Sequence, residues 1–189
     1  MNRGERQLQD TLGTRQQADA FQARQTLDHL NDTMQTFIGR QTMVFLATAD
    51  VRGDCDNTFR AGPPGFVRVL DRGRLSWPEY RGNGVMASLG NITENPRVGL
   101  LFMDFDQVIG LHVNGTAELV EDPGGQADTP PGRRARLWVV ARVQEAYIHC
   151  ARHIPRLVEI PRQRGRSAAA EQPKKSDYFV PEPACRSRP

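Results

Sequence analysis

The sequence predicts a mainly β fold in which six or seven antiparallel strands form a small barrel with flanking helices. Apolar and polar residues alternate along 111–120, which is typical of a strand with one face on a core. Seven segments of strand length are separated by turn residues, and only one internal segment, 84–94, has helical periodicity. A barrel is favoured because closure removes the exposed edges of an antiparallel sheet.

The N-terminal part of the chain divides into a polar extension and an amphipathic helix. Residues 1–26 are rich in Gln, Arg and Asp and have few apolar positions, so we expect a polar, frayed or weakly helical extension. From Leu27 the apolar residues recur on one helical stripe, and Gly39 stands where a helix would end. These residues therefore predict a helix over 27–39.

The strands and the internal helix follow from composition and punctuation. Val85, Leu89 and Ile92 share one face of the helix predicted over 84–94, and Pro96 ends it. Strand-length runs bounded by Gly, Pro, Asn and Asp predict strands at 42–49, 57–60, 65–71, 74–77, 97–103, 110–120 and 137–148.

Length and composition set the domain organisation. A chain of 189 residues is long enough for one domain of ordinary size, which we place at 27–160. Residues 161–189 hold five prolines and no apolar periodicity, so we expect a mobile C-terminal tail there.

Charge and hydropathy exclude several classes of partner. Residues 1–150 carry 16 basic and 18 acidic side chains, a net −2, so the predicted domain lacks the basic surface of a nucleic-acid-binding protein. No run approaches the ~18 apolar residues of a membrane span. The N-terminus lacks the apolar segment of a secretory signal, which favours a cytoplasmic location. Three cysteines cannot build a disulfide framework.

The start of the internal helix has the features of an anion site. The segment PEYRGNG at 78–84 leads a strand into the helix, and Asn83 is a favourable N-cap residue. The N–H groups of a first turn at 84–86 would face whatever lies in front of the helix, and a phosphate suits them. Most Asn caps hold no ligand, so this feature depends on its context.

The context is five segments that follow one another at consistent spacing: RAGPPGFVRVLD at 60–71, LSWPEYRGN at 75–83, SLGNI at 88–92, NPRVGLLF at 95–102 and VNGTA at 113–117. In this order they resemble the pyridoxamine 5'-phosphate oxidase-like flavoproteins, over about 40–153. The resemblance implies that 27–160 is an FMN-binding split β-barrel, usually a homodimer with an FMN in each of two clefts between subunits. It points to the flavin-nucleotide-binding branch rather than to a pyridoxamine phosphate oxidase proper.

The resemblance also implies a set of cofactor-binding residues. The flavin phosphate would lie near Asn83, Ser88 and Asn91, with Arg60 as a nearby cation, and a strand at 64–67 would run along the ring. The alternative at 64–67 is a plain turn entering a strand, and the alternative for Arg60 is a solvated charge. The full implied set is Arg60, Pro64, Gly65, Phe66, Val67, Arg81, Gly82, Asn83, Ser88 and Asn91.

One departure from the family pattern concerns the phosphate. Pyridoxamine phosphate oxidases proper place a Ser-Arg-Lys run at the helix start, whereas Val85, Met86 and Ala87 carry no charge here. Phosphate binding would therefore depend on N–H donors and on a cation from elsewhere, such as Arg60 or Arg81.

The segment AYIHCARHIP at 146–155 is the second candidate site. His149, Cys150 and His153 are potential metal ligands, but no fourth partner is evident, so we expect no metal. The resemblance instead makes His112, Tyr147, His149 and Cys150 lining residues of the cleft. The alternative for Cys150 is a small buried apolar residue. Trp77 and Trp138 are expected in the core or at a dimer surface.

The predicted function is that of an FMN-dependent oxidoreductase acting on a small, planar substrate, with no catalytic side chain assigned because the flavin carries the hydride chemistry. Three alternatives stay open. A deazaflavin (F420)-dependent reductase would use Arg60, Arg68 and Arg81 as a basic groove. A haem-binding or haem-degrading relative would use His149 or His153 as axial ligand. A flavin-binding module would have no enzymatic activity.

Overall fold

Seven antiparallel strands form one sheet, as the alternation in the sequence predicts. The computed structural model describes residues 2–80, 82–121, 135, 137–158 and 179. In chain order the strands are β1 (Met43–Ala49), β2 (Cys55–Ala61), β3 (Arg68–Asp71), β4 (Arg74–Glu79), β5 (Arg97–Asp104), β6 (Ile109–Val120) and β7 (Leu137–His149). Within the described residues the α-helices are α1 (Arg3–Leu12), α2 (Arg15–Gln25), α3 (Asp32–Gly39) and α4 (Ala87–Glu94).

The sheet is a split barrel rather than a closed one. Its strand order is β2-β1-β5-β6-β7-β4-β3, so β2 and β3 are the two edges and do not pair with each other. Arg60 on β2 nevertheless forms an ion pair with Glu79 on β4, at 2.8 Å between Nε and Oε1. The sheet therefore curls until its ends face each other. We call the opening spanned by Arg60 and Glu79, together with the inner face of β2 from Asp56 to Arg60 and the start of α4 beside it, the barrel gap.

The core fills the inner face of the curled sheet. Trp77, Phe102, Leu46 and Val139 are all 0% exposed, and they come from four different strands. Trp138 is 2% exposed, so both tryptophans are buried within the chain. Close packing of these large side chains gives the barrel gap a rigid floor.

Two helices begin later than the sequence pattern predicts. Helix α3 begins at Asp32, not at 27, because the side chain of Asn31 accepts the N–H of Met34 at 2.9 Å and caps the helix there. Leu27 instead exchanges two backbone hydrogen bonds with Ala146 of β7. The apolar stripe is real, but its first member belongs to the sheet.

The polar N-terminal extension is folded into α1 and α2, and neither helix contains a buried residue. Helix α1 has a capping box between Asn2 and Glu5 and ends at Gly13, whose φ of 66° suits glycine. The ring of Phe21 in α2 contacts Tyr147 of β7 edge to face, with centroids 6.1 Å apart.

Some sequence predictions fall outside this description. Arg81 is not described, and Phe179 is the one described residue of the unit Glu159–Pro189, so the mobile tail at 161–189 stays a prediction. Among the described residues no helix is both long and apolar enough to cross a membrane. The cytoplasmic location likewise stays a prediction.

Candidate functional site

Arg60 in the barrel gap is held by a local network. Its Nε donates to both carboxylate oxygens of Glu79, at 2.8 and 3.1 Å, and its Nη1 donates to the Thr58 hydroxyl at 2.9 Å. Trp77 Nε1 donates to the same carboxylate at 3.2 Å. The side chains of Arg60 and Glu79 are 21% and 11% exposed. Arg60 is therefore not a solvated charge, and any ligand anion must compete with Glu79.

Alternation along β2 places three polar residues on its inner face. Asp56, Thr58 and Arg60 are half-buried, whereas the residues between them are exposed. Successive members of this row lie about 7 Å apart because a strand rises about 3.4 Å per residue. The row therefore runs from Asp56, which lies beside α4, to Arg60, which faces Glu79.

Ser88 and Asn91 have protein partners across α4. The hydroxyl of Ser88, which is 4% exposed, donates to Asp56 Oδ2 at 2.6 Å. Asn91 Nδ2 donates to Thr48 Oγ1 of β1 at 3.1 Å. These two bonds fasten α4 to β2 and β1. The two side chains predicted to bind phosphate thus also position the helix.

The start of α4 differs from the prediction. Asn83 does not cap it, because Asn83 Oδ1 accepts the N–H of Val85 at 3.0 Å in a local turn. Gly84 and Met86 have positive φ values of 85° and 59°, so a continuous right-handed helix cannot begin before Ala87. None of the described side chains caps the helix, and its first N–H groups begin at Ala87 rather than at 84. Gly82 and Asn83 are exposed beside it.

The segment predicted as a strand along the flavin ring is a turn. Phe66 N–H donates to Pro63 O at 2.9 Å, and Gly65 has a φ of 81°. Pro64 before a left-handed Gly65 is the pattern of a type II turn, so the strand predicted over 65–71 begins only at Arg68, and the cofactor-binding role of 64–67 stays a prediction. Phe66 and Val67 are 5% and 2% exposed and pack in the core.

The second group of predicted residues lies on the outer face of the sheet. His112 Nε2 and His149 Nδ1 are 2.8 Å apart, and the His112 ring stacks on Tyr147 at 4.7 Å between centroids. Burial, reinforced by His149, lowers the pKa of His112. Burial raises the pKa of Tyr147. We call His112, Tyr147 and His149 the outer-face cluster; Cys150 beyond it is exposed, so its alternative as a buried residue is wrong.

The structure separates the two predicted groups. Arg60 of β2 lies opposite Val44 of β1, and the Val44 side chain is in the core. The gap residues therefore belong to the inner face of the sheet. His112 alternates with the buried Leu111 and Val113 and therefore points to the opposite face. One chain does not bring the barrel gap and the outer-face cluster into one cleft.

A groove on the outer face was missed by sequence reasoning. Its volume is about 530 Å³, and its lining includes Ala47, Gly99, Arg97, Asn114, Gln144 and Glu145. Arg97 Nη1 donates to Gln144 Oε1 at 3.0 Å, and Asn114 Nδ2 donates to Glu145 Oε1 at 2.8 Å. The register of β6 against β7 shifts between Asn114 and Gly115, and both residues line the groove. Glycines inside predicted strands, at 99 and 115, are the signal that could have found it.

Comparisons with known proteins give one family match and several similar solved structures. The profile described as pyridoxamine 5'-phosphate oxidase matches residues 30–150. A putative pyridoxamine 5'-phosphate oxidase from Lactobacillus delbrueckii is 23% identical, with a TM-score of 0.50 and coverage of 65% of this chain and 98% of that one. HupZ from Group A Streptococcus is 21% identical, with a TM-score of 0.49 and coverage of 63% and 93%.

An FMN-binding protein from Syntrophomonas wolfei is 12% identical, with a TM-score of 0.43 and coverage of 60% of this chain and 82% of that one. No curated protein sequence matches this chain significantly. The profile match extends over more than half of the 189 residues. It spans all seven strands, α3 and α4. This chain therefore belongs to the pyridoxamine 5'-phosphate oxidase family.

Proposed function

We propose that this chain binds FMN at the barrel gap and is an oxidoreductase that moves two electrons between the flavin and a small, planar substrate. The family match over 30–150 is the observation that carries the proposal. In such an enzyme the flavin supplies the hydride chemistry, and the protein supplies position and limits access of water.

The donors at the barrel gap fit the anionic end of a flavin nucleotide. The Arg60 guanidinium and the Ser88 hydroxyl are donors of the kind that bind phosphate, and α4 adds N–H groups without a side-chain cap. Arg60 and Ser88 already bind carboxylate oxygens, of Glu79 and Asp56. These contacts with internal carboxylates support the proposal, since an anionic ligand could replace either carboxylate on the same donors.

The deazaflavin alternative has less support from the same arginines. Arg60 is paired with Glu79, and the Arg68 guanidinium lies 4.7 Å from the centre of the Trp138 ring. A basic groove for a long acidic tail needs several guanidinium groups at once, whereas a single phosphate needs only Arg60 to exchange its carboxylate partner. The described residues therefore favour a cofactor with a compact anionic end.

We also propose that the protein is a homodimer. The barrel gap and the outer-face cluster lie on opposite faces, so a second copy is needed to bring both to one cleft. Phe59 is 49% exposed and lies beside Phe45 on the outer face, which gives a dimer apolar surface to bury. Light scattering is expected to give the dimer mass, and a stable monomer at micromolar concentration would contradict the proposal.

The experiment that tests the function combines a spectrum with a titration. The purified protein is expected to be yellow, or to quench FMN fluorescence in a saturable titration with one site per chain. Riboflavin and FAD serve as controls for the phosphate and for the size of the cofactor. A red-brown protein with a haem spectrum, or no saturable binding of any flavin, would contradict the proposal.

A further inference from the structure

We infer that Asp56 acts as an internal anion at the start of α4 and competes there with the phosphate of the cofactor. The inference rests on the proposed flavin function and adds a residue that sets how strongly the site selects a phosphorylated flavin. It comes from the contact between Asp56 and Ser88, which neither the sequence pattern nor the family resemblance indicates.

The position of the Asp56 carboxylate is the first step. Ser88 is the second residue of α4, and its hydroxyl donates to Asp56 Oδ2 at 2.6 Å. The carboxylate therefore lies beside the first turn of α4, and no described side chain, Asp56 included, caps the N–H groups of that turn. The N-terminus of a helix carries a partial positive charge that stabilises an anion, so a phosphate bound there would lie close to Asp56 and would compete with it for the Ser88 hydroxyl.

The charges around this position are the second step. On the inner face of β2, Arg60 is the second inward residue after Asp56, with Thr58 between them, and Glu79 from β4 faces Arg60. Among these groups the described residues supply two carboxylates and one guanidinium, a net −1. A phosphate monoester adds about −1.5 to −2 at neutral pH. It must therefore displace Asp56 or bind beside a like charge, and both weaken FMN more than riboflavin.

Asp56→Asn tests this competition directly. Asparagine keeps the size of the side chain and its hydrogen bond with Ser88 but removes the charge. We expect FMN to bind about tenfold more tightly to the variant, because charges a few ångströms apart near a protein surface interact at that scale. Riboflavin, which lacks the phosphate, is expected to bind equally to both proteins.

Asp54→Asn is the matched control. Asp54 is two residues away and 74% exposed, and its carboxylate pairs with Arg52 rather than with α4. The control removes the same charge from the chain, so we expect its FMN affinity to equal that of the wild type. Unchanged or weaker FMN binding in Asp56→Asn would overturn the inference, as would equal tightening in both variants.

A measurement without flavin separates this inference from the proposed function. If neither the wild type nor the two variants bind any flavin, the proposed function fails. The role of Asp56 is then decided by the melting temperatures of the three proteins in inorganic phosphate. Phosphate should raise the melting temperature of Asp56→Asn more than that of the wild type or Asp54→Asn, and equal shifts would overturn the inference. If Asp56→Asn does not fold, Asp56→Ser replaces it with the same expected results.

Discussion

The barrel gap and the outer-face cluster use polar side chains in different ways. At the gap, Arg60 and Ser88 each donate to a carboxylate, so the binding of an external anion is a competition between negative groups. On the outer face, His112 is held by ring stacking and by a bond to another histidine. We therefore expect the gap to respond to the removal of a charged side chain and the outer face to respond to a change of pH.

The largest expected effect is on stability, and it compares a buried aromatic residue beneath the barrel gap with an exposed one on the outer face. Trp77 is fully buried and donates to Glu79, so Trp77→Ala should lower the free energy of unfolding by about 3–5 kcal/mol. Phe59→Ala, on the outer face and 49% exposed, should cost about 1 kcal/mol. Urea denaturation measures both. Equal losses in the free energy of unfolding for the two variants would contradict the difference between the gap and the outer face.

A smaller effect is expected from the ion pair that spans the gap. Arg60→Ala leaves Glu79, 11% exposed, with fewer donors, so the free energy of unfolding should fall by about 1–3 kcal/mol. Arg52→Ala is the control, since Arg52 is 77% exposed and its pairs should contribute less than about 1 kcal/mol. The same denaturation series tests this, and a loss no larger than that of the control would show that the gap pair adds nothing.

Protonation distinguishes the outer face. Because burial and His149 lower the pKa of His112, the unfolded chain takes up that proton more readily than the folded one. The contribution of His112 to the free energy of unfolding is therefore fully present above pH 6.5, its ordinary pKa. This contribution is lost as the pH falls from 6.5 towards the lowered pKa. As the pH is lowered across this range, the free energy of unfolding should therefore decline less in His112→Gln than in the wild type.

The control for the pH experiment is His153→Gln. His153 is an exposed histidine in the turn after β7 and makes no part of the outer-face cluster. Its variant should follow the wild-type decline. A His112→Gln protein with the same decline as the wild type would remove protonation from the account of the outer face.

The smallest expected effect concerns the start of α4. Asn83→Ala should cost less than about 0.5 kcal/mol, because Asn83 is exposed and caps only a local turn. Asn31→Ala, which removes the cap of α3, should cost about 1 kcal/mol. Thermal melts of the two variants compare them. A loss of stability in Asn83→Ala as large as that in Asn31→Ala would indicate that Asn83 caps α4 after all.

Local patterns were sufficient to predict the strands but not the site. Alternation located β6 because it depends only on neighbouring residues, whereas the turn at the Pro-Gly pair 64–65 was only the alternative to the strand predicted there. The late start of α4 could not be predicted, because a left-handed methionine has no sequence signal. The bonds of Asp56 to Ser88 and of Arg60 to Glu79 join residues 32 and 19 positions apart, which only the tertiary fold brings together.

The most direct test of the central claim, that the barrel gap holds the phosphate of FMN, compares FMN with riboflavin in the wild type and in Arg60→Ala. Charge-assisted hydrogen bonds contribute about 1.5–3 kcal/mol, so the variant should bind FMN about ten- to a hundred-fold more weakly and riboflavin equally well. Unchanged FMN affinity in Arg60→Ala, or an equal loss for both flavins, would contradict the claim.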